Sequence, residues 1–137
     1  MPFQVLLIED SAGDALLTGQ IVSESPIPIK LVIARDGLQA LNMLEDPSFR
    51  PGLIILDLNI PLIPGHIVLE RNQRKDIPVV IFSVSDDPGD MRRAFSLGVR
   101  DYVQKPMNLE AYKTAVWGII EKWALPEEAD AEGAAAS

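Results

Sequence analysis

The feature that most narrows the fold of this chain is an alternation. Short aliphatic runs, of which Leu53–Leu56 is the purest, are separated by longer segments whose apolar residues recur at helical spacing. A run such as LIIL presents no polar face, so as a strand it is buried on both sides. That is the situation of a parallel sheet wound with crossover helices. Strands are expected at Gln4–Ile8, Ile29–Ala34, Leu53–Leu56, Val79–Phe82 and Asp101–Gln104. Helices are expected at roughly Asp14–Ser25, Gly37–Glu45, Gly65–Lys75, Pro88–Leu97 and Asn108–Leu125. Boundary residues agree with this division. Asp87 stands as an N-cap before Pro88 at the first helical position, Gly98 falls just past a helix end, and Asn108 caps the last helix. The expected fold class is α/β, a doubly wound parallel sheet of five strands.

The 137 residues fit one domain, and 47% hydrophobic with 23% charged is a balance that buries a sizeable core. That domain is expected over residues 1–125. The remaining residues, PEEADAEGAAAS at 126–137, lack any large apolar side chain and are expected to form a mobile acidic tail. No linker leads to a second domain, which points to a stand-alone module. With no cysteine, disulfides and thiolate metal sites are excluded. The first residues carry neither a basic segment nor a signal-length apolar stretch, and no run is long enough to cross a membrane, so the protein is expected in the cytoplasm. A net charge of -8 argues against direct nucleic-acid binding, which needs a basic face.

Chemistry in an open parallel sheet gathers outside the carboxyl ends of the strands. The first expected strand ends at Glu9 and Asp10, the third at Asp57, the fourth at Ser83, and the fifth leads to Lys105 and Pro106. If these ends share one edge, three carboxylates, a hydroxyl and an ammonium converge. Crowded carboxylates repel unless a cation relieves them, and a hard divalent ion is the expected occupant: Mg2+ first, with Mn2+ or Ca2+ as substitutes. A carboxylate beside such an ion and a lysine is placed to attack a phosphoryl group. Asp57 is the favoured nucleophile because it ends the most apolar strand.

Taken together, the acidic pair in LLIEDS, the block DLNIPLIPG with Asp57, Pro61 and Gly65, Ser83 in VIFSVSD, and GVRDYVQKP with Tyr102, Lys105 and Pro106 resemble the receiver domain of a two-component response regulator. The resemblance covers Phe3 to about Leu125. It implies a flavodoxin-like (βα)5 fold with strand order 2-1-3-4-5 and a phosphorylation-dependent signalling switch. By it, Asp57 accepts a phosphoryl group from a sensor histidine kinase. Glu9, Asp10, Asp57 and the backbone carbonyl of Asn59 hold the metal, Lys105 pairs with the phosphoryl group, and Ser83 moves to bond it. Tyr102 resembles the aromatic switch that alters the surface of the fourth helix, fifth strand and fifth helix. RDG, DLN and a tryptophan-bearing last helix look most like the stand-alone, phytochrome-associated subgroup. A phytochrome-like kinase is then the expected input, and a downstream protein or a histidine phosphotransferase the expected output. Val84, where the family usually has a small residue, is expected to crowd the phosphoryl site.

Two rival readings share part of this pattern. A haloacid-dehalogenase-like phosphatase also places an Asp nucleophile after an apolar strand, but needs an acid where this chain has Asn59. A phosphorylation-independent binding domain would have no use for the full set of charged groups. The protein is therefore expected to be no metabolic enzyme, its own chemistry limited to self-phosphorylation and slow hydrolysis. His66, the only histidine, is expected on the surface. In the last helix, Tyr112, Val116, Ile119 and Trp123 form one apolar stripe toward the sheet. Trp117 and Ile120 fall off it, and with Arg92, Arg93, Arg100 and Asp101 they outline an expected homodimer face.

Overall fold

Strand and helix alternate through the computed structural model, which describes residues 2–124. The elements are β1 (Phe3–Ile8), α1 (Ala12–Ser23), β2 (Ile29–Ala34), α2 (Gly37–Glu45), β3 (Leu53–Leu56), α3 (Gly65–Arg71), β4 (Val79–Ser83), α4 (Pro88–Ser96), β5 (Asp101–Gln104) and α5 (Leu109–Trp123). All strand pairs are parallel, in the order β2-β1-β3-β4-β5. This is the order that the receiver-domain resemblance implies. The segment 126–137 and the boundary at 125 lie outside the described residues.

The pleat divides the core in two. Leu6, Ile8, Ile54, Leu56 and Ile81 point to one face and pack with Leu41, Val68, Leu69 and Ala94 of α2, α3 and α4. Val5, Leu7, Leu53, Ile55, Val80 and Phe82 point to the other, against Ile21 and Val22 of α1 and Val116 and Ile119 of α5. All four residues of β3 are buried, as the LIIL run requires. Each such aliphatic side chain contributes about 1.5–3 kcal/mol through burial, which is what fixes the sheet so firmly beneath its loops.

Helix ends depart from expectation where side chains take over the capping. Ser11 accepts from the Asp14 amide at 3.1 Å, so α1 starts at Ala12, earlier than the expected Asp14. Helix α3 stops at Arg71 and not at Lys75. Asn72 turns extended and accepts from the Arg74 amide at 2.9 Å, while Lys75 Nζ donates to the Leu69 carbonyl at 2.9 Å. Gly65 starts α3 because a Cβ there would meet the Leu58 Cα at 2.7 Å. Leu62, in the same β3–α3 loop, has φ 69 and is well exposed, a left-handed position that a leucine adopts at a cost.

The expected dimer face needs one correction. Ile120 is 1% exposed and belongs to the core with Val116 and Ile119. The buried stripe of α5 is wider than the i, i+4, i+7 pattern suggested, because the helix lies against both α1 and the face of the sheet. Trp117 is half-buried against the same core. Arg92, Arg93 and Arg100 are exposed, and Asp101 pairs across the surface with Lys122 at 3.4 Å.

Candidate functional site

Two acids are placed by the sheet itself. The ladder runs one residue past β1 and β3: the Glu9 amide donates to Ala34 O at 2.9 Å and the Asp57 amide to Ile8 O at 3.0 Å. Both backbones are therefore as rigid as the strands. Lys105 is fixed the same way, its amide donating to Ser83 O at 2.7 Å just beyond β5. From three separate strand ends, these side chains meet.

The Lys105 ammonium is the centre of the meeting. It donates to Asp57 Oδ2 at 2.9 Å, to Asp14 Oδ2 at 2.8 Å and to Glu9 Oε1. Lys105, Glu9 and Asp57 side chains are 4%, 3% and 8% exposed, so the pairing is dry. The remaining acceptor sites face the adjoining loops. Glu9 Oε2 accepts from the Ser11 amide at 3.3 Å and Asp57 Oδ1 from the Asn59 amide at 3.0 Å. Burial is the main reason the Glu9 carboxyl is pushed up to about 7; Lys105 opposes this and the neighbouring Asp57 charge adds to it. Burial alone would lower the ammonium of Lys105, but the three carboxylates outweigh it and hold Lys105 above the ordinary lysine range. Asp10 is exposed beside this cluster, as is Asn59.

The donor set suits a hard divalent cation. Glu9, Asp10 and Asp57 offer carboxylate oxygens at adjoining strand ends, and with Asp14 the buried Glu9 and Asp57 set three carboxylates against one ammonium. Among the described residues no group of three acidic or histidine side chains is arranged to hold an ion by itself; the three carboxylates that converge do so on the Lys105 ammonium.

Ser83 and Tyr102 are brought together by a residue the sequence reading passed over. Ser83 is fully buried, and its Oγ accepts from the Ser85 amide at 3.4 Å. The half-buried Tyr102 donates its hydroxyl to the Ser85 carbonyl at 3.0 Å, and the Ser85 hydroxyl donates to Asp90 Oδ2 at 2.7 Å. Burial raises the Tyr102 phenol above its usual range. The Ser85 hydroxyl is the first reason the Asp90 carboxyl sits low. His66, expected on the surface, is only 12% exposed in its side chain. Its Nε2 lies 3.5 Å from Asp90 Oδ1 where α3 and α4 meet.

Asp14 was legible only as an acid near the start of a helix. The first turn of α1 carries it onto Lys105. Val84 stands on the rim of the cleft, 55% exposed, with Asp14, Lys105, Met107 and Leu109 as fellow lining residues. Crowding from Val84 therefore falls at the mouth.

Comparison with known proteins agrees with this architecture. The family profile of the response regulator receiver domain matches residues 5–117. The chain is 38% identical over 131 residues to response regulator Rcp1 of Synechocystis sp., covering 89% of each. The Mn(2+)-bound form of Rcp1 superposes with a TM-score of 0.82 at 36% identity, covering 90% of this chain and 95% of that one. The phosphorylated cyanobacterial phytochrome response regulator RcpA gives 0.84 at 33% identity, with coverage of 90% and 94%.

Proposed function

The chain belongs to the response regulator receiver family, the phosphorylation-dependent switches of two-component signalling, and on that premise we propose that Asp57 is its phosphoacceptor. The observation that carries this reading is the buried contact of Lys105 with both Asp57 and Glu9 at the carboxyl edge of the sheet. An Asp57 oxygen attacks phosphorus, the bond to the leaving group breaks with its electron pair, and Lys105 neutralises charge on the transferring oxygens. Glu9, Asp10, Asp57 and the Asn59 carbonyl would hold Mg2+, which when bound neutralises further phosphoryl charge. The Mn(2+)-bound Rcp1 structure supports a divalent ion of this class.

Ser83 and Tyr102 form the readout. Both bond to Ser85, so a shift of the Ser83 hydroxyl toward a phosphoryl group on Asp57 disturbs the loop to which Tyr102 is tied. The surface of α4, β5 and α5 then changes. Relatives named for phytochrome signalling support a phytochrome-like histidine kinase as the phosphodonor in the cytoplasm, with a downstream protein or a histidine phosphotransferase as recipient. Trp117 with Arg92, Arg100 and Asp101 remains the surface for a second copy, and a species heavier than 15.0 kDa in light scattering would support it. The protein's own catalysis is limited to accepting and slowly hydrolysing the phosphoryl group. Against a phosphatase of the haloacid-dehalogenase kind, Asn59 has no carboxylic proton to donate.

The test is mass spectrometry after incubation with acetyl phosphate or phosphoramidate and Mg2+. Wild type gains one phosphoryl group and Asp57→Asn gains none. Equal labelling of the two, or labelling of neither, overturns the assignment.

A further inference from the structure

Lys105 has three N–H donors and spends each on a carboxylate, yet the three acids are not alike. Glu9 and Asp57 are 3% and 8% exposed in their side chains, whereas Asp14 is 36% exposed. Of the three acids, Asp14 is the one that reaches solvent. It is also not a swinging arm. Its amide is bound by the Ser11 cap at 3.1 Å, and α1 is anchored to α5 by the buried Thr18–Tyr112 hydrogen bond at 3.1 Å. With its backbone so held, the carboxylate is tied by Lys105 at 2.8 Å and lines the same cleft as that ammonium.

The same cleft also carries apolar surface. Val84, Met107 and Leu109 line the same cleft and are 55%, 98% and 60% exposed. A phosphodonor entering this cleft toward Lys105 meets both the negative charge of Asp14 and uncovered hydrocarbon. A small anionic donor is repelled by the first and gains nothing from the second. A phosphoimidazole carried on a protein surface covers the hydrocarbon and brings compensating groups of its own. The arriving phosphoryl oxygens must also take an N–H of Lys105 that Asp14 now holds.

Building on the reading of Asp57 as phosphoacceptor, we propose that Asp14 is a specificity-determining residue: it selects among phosphodonors by charge, disfavouring small anions. In every case the bond from phosphorus to the donor breaks, its electron pair leaves with acetate, ammonia or the imidazole, and the Asp57 Oδ–P bond forms. Asp14 changes only how readily the donor reaches that point.

The experiment compares labelling rates of wild type, Asp14→Asn and Asp14→Glu at saturating Mg2+ and low salt with two donors. Acetyl phosphate is a dianion; phosphoramidate carries a nitrogen whose positive charge cancels one unit. Asp14→Asn keeps an acceptor for Lys105 but removes the charge. It should raise the rate about tenfold with acetyl phosphate and about threefold with phosphoramidate, as expected for unit charges at contact range in a partly wet cleft. The gap between donors should close in about 0.5 M salt, and Asp14→Glu should restore wild-type selectivity. Should Asp14→Asn fail to fold, Asp14→Ser, which also suits a first helical turn, carries the same comparison. Equal changes with both donors, no change, or a gain that survives high salt overturns the proposal. Absence of any labelling in wild type would instead remove the phosphoacceptor reading beneath it.

Discussion

The two sides of the carboxyl edge are built differently. Around Lys105, three residues whose backbones continue the strand ladders bring buried charges together, with side-chain exposures below 10% for Lys105, Glu9 and Asp57. Around Ser85, a loop residue is the hub, and neutral or exposed polar groups reach it one hydrogen bond at a time: Ser83 beneath, Tyr102 from β5, Asp90 from α4. The first arrangement is expensive to disturb because any loss strands a charge in a dry place. The second exchanges partners at small cost, since each bond contributes about 1 kcal/mol net. Charge therefore gathers where the strand ladder holds the backbone, and the exchangeable hydrogen bonds gather on a loop.

This contrast is sharpest for Lys105. Replacing it by Met should lower labelling of Asp57 by about 100-fold or more, the scale on which a single preorganised charge-stabilising donor acts. It should also cost about 3 kcal/mol in urea unfolding, because Glu9 and Asp57 are left facing each other without a cation. A Lys105→Met protein that is both stable and readily labelled would place the centre of the site elsewhere.

Acid titration probes the same side. The folded-state value of Glu9, about 7, lies above its unfolded value near 4.5. A raised value means that the native state binds the extra proton, so this contribution to stability is fully present below about 4.5 and is lost as pH rises through about 7. In the metal-free protein, urea midpoints should fall between pH 5 and 8 more steeply in wild type than in Glu9→Gln. Parallel profiles for the two proteins would show that Glu9 is not the titrating group.

On the loop side the effects shrink. Tyr102→Phe removes only the hydroxyl donated to Ser85 and should cost about 1 kcal/mol, while leaving the labelling rate within about threefold. A large loss of labelling would mean that the two sides are not separable. Smaller still, Leu62→Asn relieves the left-handed strain at φ 69 and should raise stability by about 0.5–1 kcal/mol in thermal melts, with no effect on labelling.

Much of this was legible in one dimension. The strands match expectation to within one residue at each end, because runs such as Leu53–Leu56 and Val79–Phe82 carry both their burial and their length in their composition. Glu9, Asp57 and Lys105 could be found because strand ends are marked by the last aliphatic residue. Asp14 could not, since its partner is 91 positions away and nothing in GDALL distinguishes an acid that serves a helix start from one that serves a lysine. His66 was misplaced for a related reason: a histidine at the start of a helix is exposed unless a neighbouring helix, here α4, covers it.

Local chemistry thus determined the elements, their order of alternation and the identity of the charged groups at strand ends, because apolar patterning and capping act over a few residues. Tertiary structure alone decided which of those groups touch, that α5 buries Ile120, and that Asp14 reaches Lys105 and Ser85 joins Ser83, Tyr102 and Asp90. Contacts between distant elements follow from how helices seat on a twisted sheet, and that packing depends on the whole set of side chains at once.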